Sequence, residues 1–528
     1  MSILEFLLEH SPALIVAVPL LGGFLTPLVS RVNDKARNLF VIIILGLTLF
    51  LVALLASDVL AGNIHTYVFG DTKATVLSKT VIRILFEVDA LSIFMAIIAV
   101  VLAFAASIYS WAFMKDETGQ EKYYTLLLLM TTGILGMVLT GDLFNFFVFL
   151  EISSIASCAL IAFWSNKAKA VEAAFNYMVI STIGALFVLF AIALLYGEYD
   201  ALNIAKIASK ITPSTFSFID KIALVLLLVA LAMKGGIAPM HMWLPDAYGR
   251  APASISLILV GATQASLYGV FRVCFTLYGN VIQLPEVSLG WIMVILGVAT
   301  MLIGVFLAMI QVDFKRLIAC GALAELGYMI LGVGTGLTIL ANPDISFNSA
   351  PYAMQAMKGG IFHIINDALD VGLLFLVAGA VYYVTRETSL NRLGGLARNM
   401  KYTTIFFLIG LLAVSGLPPM NGFASKLLIY ESVYQLNPIL AILAILSSIM
   451  LLAIMVKVFH SAFLGPEQPH LANTREVPRS MLVAMGILAA LIVFFGLFPD
   501  LVVKNLVEPA VDALVNNKEY LLWLTGGV

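Results

Sequence analysis

Residues 222–248 read IALVLLLVALAMKGGIAPMHMWLPDAY. Every residue before Lys234 is apolar, so the segment starts as a helix bound for hydrocarbon. Lys234, Gly235, Gly236 and Pro239 then arrive at about the depth of a bilayer centre. A lysine there costs about 2.5–3.5 kcal/mol on insertion scales and by default marks an ion pathway. Helix breakers at that depth persist only where the freed backbone groups are buried in protein or face water. A charge at a broken helix in the membrane is the arrangement of a transport site.

The rest of the chain is equally apolar. Of its 528 residues 61% are hydrophobic and 11% charged, and a mean hydropathy of +1.03 leaves no soluble domain of ordinary size. Runs long enough to cross a ~30 Å hydrocarbon core, about 20 residues each, fall near 13–31, 39–60, 90–113, 124–141, 143–165, 172–196 and 221–245. Others follow near 252–278, 289–310, 315–338, 358–384, 402–434, 438–464 and 480–500. The expectation is an all-α polytopic membrane protein with about fourteen transmembrane helices.

Basic loop residues set the orientation. Alternate loops carry Arg31, Lys35 and Arg37; Lys115 and Lys122; Lys167 and Lys169; Arg250; Lys315 and Arg316; Arg386, Arg392, Arg398 and Lys401; and Arg475 and Arg479. The other set holds mainly Lys73, Lys79, Arg83, Lys206, Lys210, Lys221 and Lys358. Because basic loops stay cytoplasmic, both termini are expected outside. The opening MSILEFLLEHSPALIV lacks a basic lead-in and reads as the first span, not a signal peptide.

Cys158, Cys274 and Cys320 fall in spans and form no CxxC pattern. With no dinucleotide fingerprint or P-loop and only six scattered histidines, no nucleotide or redox centre is expected in this chain. The net charge of −2 carries no signal for nucleic acid.

Chemistry therefore rests on ionisable residues inside the spans. Glu151, in LFNFFVFLEISSIASCALI, has no basic neighbour in sequence and must be protonated, paired across helices or wet. Lys426, in VSGLPPMNGFASKLLIY, sits in a second apolar segment broken by Gly416, Pro418, Pro419 and Gly422. Two lysine-bearing broken helices roughly 190 residues apart are a sequence pointer to structural repeats with midplane sites. The plainer reading of each lysine is an anchor that snorkels to an interface.

His363, Asp367 and Asp370 stand at i, i+4 and i+7, one face of a helix, and suit a hydrated polar stripe better than a metal site, which would need further ligands at fixed spacing. Gln264 and Glu325 lie at similar depth in neighbouring spans. His241 and Asp246 follow the first break, His241 as a group that switches charge near neutral pH or as a structural hydrogen-bonder. Trp243 and Tyr248 read as residues at headgroup level, and Asp313, Lys315 and Arg316 as a solvated turn.

At these motifs the chain resembles the antiporter-like subunits shared by respiratory complex I, Mrp sodium/proton antiporters and membrane-bound hydrogenase-type complexes. The resemblance runs from VDALSIF at 88–94 through NFFVFLEIS at 145–153, the K-x4-P-x-H-x-WLPDAY-x2-APAS block at 234–254 and DFKR at 313–316 to GLPP-x2-GF-x2-K at 416–426. It implies two inverted five-helix repeats, each with a discontinuous helix: N-terminal helices over 1–113, a first repeat over 124–278, a second over 289–464, and a C-terminal helix and tail over 480–528. It also implies that Glu151 on the fifth helix pairs with Lys234 on the seventh, and that Lys426 on the twelfth stands by the exit path.

The chain departs from the family pattern at three positions. Gln264 stands where a lysine or histidine is common, Glu325 where a histidine or other polar residue is frequent, and Val371, beside Asp370, where several members have a lysine. The resemblance, in its shorter Mrp D-like form, implies sister antiporter-like and small membrane subunits as partners and a multi-pass location in the plasma membrane of a prokaryote. Iron–sulfur or nickel–iron centres would then sit in partner subunits. The expected function is translocation of protons, with or without sodium, through Glu151, Lys234, His241, Gln264, Glu325, His363, Asp367, Asp370 and Lys426. A self-contained transporter of a small solute is the rival; it would gather its polar groups into one pocket.

Overall fold

The computed structural model describes residues 3–70, 84–282, 289–341 and 350–522; Lys73, Lys79 and Arg83 lie outside them. The chain forms α1 (Ile3–Ser30), α2 (Asp34–Val59), β1 (His65–Val68), β2 (Leu85–Val88), α3 (Ala90–Phe113), α4 (Gln120–Leu139), α5 (Leu143–Ile161) and α6 (Ala168–Tyr199). After a short helix at Ile204–Lys210 come α7 (Phe218–Gly235), α8 (Leu244–Arg250), α9 (Ala253–Phe271), α10 (Leu289–Met309), α11 (Phe314–Leu340) and α12 (Ala350–Thr385). Then follow α13 (Lys401–Val414), α14 (Asn421–Leu436), α15 (Pro438–Val458) and α16 (Arg479–Leu497), with short helices beyond. The strands pair antiparallel, His65 against Val88.

Among the described residues twelve helices are long and apolar enough to cross a membrane. The other two expected spans are the broken ones, 221–245 as α7 and α8, 402–434 as α13 and α14. Both breaks are built alike. Gly236 and Gly416 take left-handed backbone (φ 72° and 68°), which costs glycine little. The Gly236 amide donates to the Met233 carbonyl (3.3 Å) and Ile237 to Ala232 (3.0 Å); Gly416 donates to Ala413 (2.9 Å) and Leu417 to Leu412 (3.0 Å). This is the paired closure that ends many helices at glycine. A tight turn follows each, Met240 to Ile237 (2.9 Å) and Met420 to Leu417 (3.0 Å).

Side chains take up the backbone groups the breaks set free, as a low-dielectric interior requires. Trp243 Nε1 donates to the Met233 carbonyl (2.9 Å), Thr300 Oγ1 accepts from the Ala238 amide (3.1 Å), and Lys426 Nζ donates to the Val414 carbonyl (2.7 Å). Trp243 is therefore buried (3% exposed), and Tyr248 (1%) donates to the Leu259 carbonyl. Both therefore face protein: Trp243 serves the break and Tyr248 serves α9.

A second local pattern also occurs twice. Asp142 caps α5 by accepting from the Asn145 amide (2.8 Å) and bridges to Asn203; Asp313 caps α11 by accepting from the Arg316 amide (3.1 Å) and bridges to Ser389. Each of α9 and α15 runs on into a wider π-type turn, Arg272–Leu277 and Phe459–Leu464.

Three helices form the centre: the most apolar stretches of α9, α11 and α12 are wholly buried, whereas in those of α1, α2, α6, α15 and α16 no more than 39% of residues are buried. Glycines let α10 approach α11. A Cβ on Gly290 would lie 2.7 Å from Thr338 N, on Gly297 2.7 Å from Leu331 N, and on Gly304 2.4 Å from Ala324 N, so small residues at a seven-residue interval carry the contact. A Gly297→Val variant is expected to lose about 1–3 kcal/mol or more by overpacking, seen as a lower thermal midpoint in detergent. An unchanged midpoint would mean the two helices separate freely.

Candidate functional site

Packing of α5 against α6, and of α6 against α7, brings Glu151 to Lys234. Lys234 Nζ stands 3.3 Å from Glu151 Oε1 and donates to Ser154 Oγ at 2.6 Å. Lys234 is buried, but the Glu151 side chain is 29% exposed. It lies on the same face of α5 as the exposed Phe144, Val148 and Ile155, so this ion pair has one inner and one outer member.

The second lysine has no such outlet. Lys426 Nζ donates to Glu325 Oε1 at 2.8 Å, and His363 Nε2 is 2.9 Å from Glu325 Oε2. The three side chains are at most 2% exposed, and Lys426 Nζ also lies 4.6 Å from the centre of the Tyr328 ring. A carboxylate buried this deeply is tolerable only when paired; here it faces two basic groups.

From this cluster a hydrogen-bonded file runs along α12. His363 Nδ1 meets Ser425 Oγ (3.0 Å), which accepts from Asn366 Nδ2 (2.9 Å). Asn421 Nδ2 donates to Asn366 Oδ1 (3.1 Å) and to Asp370 Oδ1 (3.0 Å). Asp367, one helical turn beyond His363, accepts from Gln264 Nε2 (2.8 Å), which also donates to the Ile364 carbonyl (3.0 Å). Gln264 Oε1 and Asp367 Oδ1 are buried without a partner among the described residues. Gln264 thus joins α9 to α12 as a neutral donor where a charged group had been the family expectation.

Beside Lys234, against α9, lies a cavity of about 20 Å³ lined by Lys234, Ser154, Tyr177, Thr263 and Ser266. That is room for about one water among several hydroxyls. Tyr248 OH stands 2.7 Å from Thr263 Oγ1 at its edge.

Of the nine candidate residues, eight fall into this arrangement. His241 does not: it is buried beyond the first break, and among the described residues no hydrogen bond or ion pair ties it to the others. Three contributors escaped the sequence reading. Asn366, Asn421 and Ser425 are uncharged, and their only trace was polar spacing, Asn366 on the His363 face and Asn421 and Ser425 at i and i+4 just ahead of Lys426. The 313–316 turn is also not simply solvated. Asp313 meets Arg250 and Arg316 meets Asp246, both at 3.2 Å, while Lys315 Nζ donates to the Ala251 carbonyl. Among the described residues no three His, Cys, Asp or Glu side chains are grouped to hold a metal.

Residues 140–452 match the family described as NADH:quinone oxidoreductase/Mrp antiporter, TM, and residues 76–124 match NADH-Ubiquinone oxidoreductase (complex I), chain 5 N-terminus. The chain is 30% identical to NADH-quinone oxidoreductase subunit N of Desulforudis audaxviator over 95% of its own length and 98% of the relative's. It is 29% identical to the D-type Na(+)/H(+) antiporter protein of Alkalihalophilus pseudofirmus, covering 86% and 87%. Its fold is similar to a chain of the Mrp complex from Dietzia sp. DQ12-45-1b, with a TM-score of 0.83 at 23% identity over 98% and 99% of the two chains.

Proposed function

The chain belongs to the NADH:quinone oxidoreductase/Mrp antiporter transmembrane family, and from that premise we propose that it carries protons along the file between Lys234 and Lys426 as one membrane subunit of a multisubunit complex. The observation that carries this reading is the file itself: titratable groups, a hydroxyl and amides buried among α9, α11, α12 and α14 in two hydrogen-bonded groups, Gln264 with Asp367 and Asp370 through Asn421, Asn366, Ser425, His363 and Glu325 to Lys426. Groups of this kind inside a membrane are costly and mark ion paths. The rival small-solute transporter finds less support, since the polar groups are strung out along helices instead of lining one pocket.

In this reading Lys234 and Glu151 form the gate. Their pairing opposes loss of the Lys234 proton. When a charge shift in a neighbouring subunit pulls Glu151 away, Lys234 yields its proton through the water-sized cavity to the Gln264–Asp367 junction. Gln264 holds no proton to give there; it fixes Asp367, a group that can take one up and release it. Asp370, His363 and Glu325 pass the proton on to Lys426, with Asn421, Asn366 and Ser425 holding them in place.

The exposed side of Glu151, set in an apolar stripe on α5, favours a sister subunit seated against that face, because a carboxylate does not face acyl chains unaided. The two matching breaks and the two matching aspartate caps favour two five-helix repeats over 124–278 and 289–464. An odd number of crossings per repeat inverts the second relative to the first. Basic loops at one end of the bundle favour both termini on the outer side of a prokaryotic plasma membrane. The Na(+)/H(+) antiporter relatives favour sodium as an ion exchanged for protons, and the complex I relative favours protons alone driven by partner subunits.

The test uses the parent complex in proteoliposomes with a lumenal pH dye. Asp367→Asn keeps the shape and the Gln264 contact but removes the titratable group, so proton flux is expected to fall at least tenfold, with or without sodium. Full flux would take Asp367 off the path and leave the file as structural.

A further inference from the structure

A pocket of about 410 Å³ opens at the basic end of the bundle, where the start of α6, the α8–α9 corner, the start of α11 and the end of α12 meet. No residue of the proton file lines it. Four cations do, Lys167, Lys169, Arg250 and Lys315, against one carboxylate, Glu387. Some of that charge is already used: Arg250 meets Asp313 (3.2 Å), Lys315 donates to the Ala251 carbonyl, and Glu387 meets Arg392 (3.3 Å). Lys167 and Lys169 remain exposed at the mouth with no carboxylate partner among the described residues.

The rest of the lining has a different character. Lys167 Nζ lies 3.9 Å from the centre of the Trp164 ring and donates to Tyr382 OH at 2.9 Å. These two aromatics are of the kind that sits where hydrocarbon meets water. Deeper, Phe113, Phe314 and Ala378 make the wall apolar. The mouth is also the N-terminus of the 32-residue α6, which no side chain caps, so its first amides add to the pull on an anion.

Surplus cations at the mouth favour an anion over a sodium ion as its occupant. A free phosphate would satisfy the mouth but gain nothing from the apolar wall. We propose that the pocket seats an anionic phospholipid of the leaflet on the basic side, its phosphate between Lys167, Lys169 and the α6 N-terminus and the upper part of an acyl chain against Phe113 and Phe314. Basic pockets between transmembrane helices on the cytoplasmic side take such headgroups.

The experiment is native mass spectrometry of the purified parent complex, stripped of lipid in detergent and then offered phosphatidylglycerol or phosphatidylcholine. The wild type is expected to retain phosphatidylglycerol at least tenfold better. Lys167→Gln with Lys169→Gln, both at exposed positions, should abolish that preference, and Lys167→Arg with Lys169→Arg should keep it. Millimolar inorganic phosphate should leave the lipid in place. The proposal is overturned if the glutamine variant keeps the preference, if phosphate displaces the lipid, or if a photo-crosslinker at position 169 captures a protein segment instead.

Discussion

A Lys426→Ala variant is expected to lose proton flux and, in addition, about 3–5 kcal/mol of stability, the usual cost of stranding one member of a buried ion pair. Lys426 and Glu325 are 0% and 2% exposed at their side chains. Removing the ammonium leaves the carboxylate with His363 alone and takes the donor from the Val414 carbonyl at the second break. Neither loss can be made good by water from outside. Thermal unfolding in detergent and flux in proteoliposomes read the two effects separately. A double variant, Lys426→Met with Glu325→Gln, removes both charges and is expected to recover most of the stability, because replacing both partners costs far less than stranding one, while flux stays absent. A stable Lys426→Ala protein with normal flux would mean that the cluster neither holds the fold nor lies on the path.

That pairing shows where sequence reading stops. Depth and face were legible: Lys234 and Lys426 could be placed at breaks, and His363, Asp367 and Asp370 on one face, because helical periodicity and glycine–proline punctuation act locally. Pairing across helices was legible only where the family resemblance carried it, as for Glu151 and Lys234. The Glu325 contact to Lys426 joins residues 101 positions apart, and nothing in either segment names the other. Asn366, Asn421 and Ser425 were missed for a related reason. An uncharged polar residue in an apolar helix more often bonds its own backbone, as Thr131 does with the Leu127 carbonyl (2.8 Å), and only the packed neighbours separate the two cases. The partners of Trp243 and Tyr248 inside the protein were likewise invisible, because composition alone does not say which carbonyl an aromatic donor reaches.

The two breaks handle their lysines differently, and this has a mechanical consequence. In each half a break frees a carbonyl that a side chain must take up. The first half uses Trp243, which leaves Lys234 free to serve the outer carboxylate; the second uses Lys426 itself. The second lysine is therefore tied to the backbone at its break, whereas the first is held only by side chains, Glu151 and Ser154. Movement is expected at Lys234 and Glu151, with the Glu325–His363–Lys426 cluster the stiffer end of the file.

Lys234→Ala tests that asymmetry. It is expected to abolish flux, as at Lys426, but with a much smaller loss of stability, since Glu151 is partly exposed and keeps access to water or to a neighbouring subunit once its partner is gone. The pair's attraction at 3.3 Å is on the order of 5 kcal/mol for an effective dielectric near 20, enough to decide whether a proton stays. Lys234→Arg sharpens the comparison. A guanidinium preserves the positive charge and the contact with Glu151 but does not release its proton, so assembly should match the wild type while flux remains absent. Flux in the arginine variant would show that charge alone suffices and that no proton passes through position 234. Normal flux in the alanine variant would remove Lys234 from the path and assign ion movement to a sister subunit.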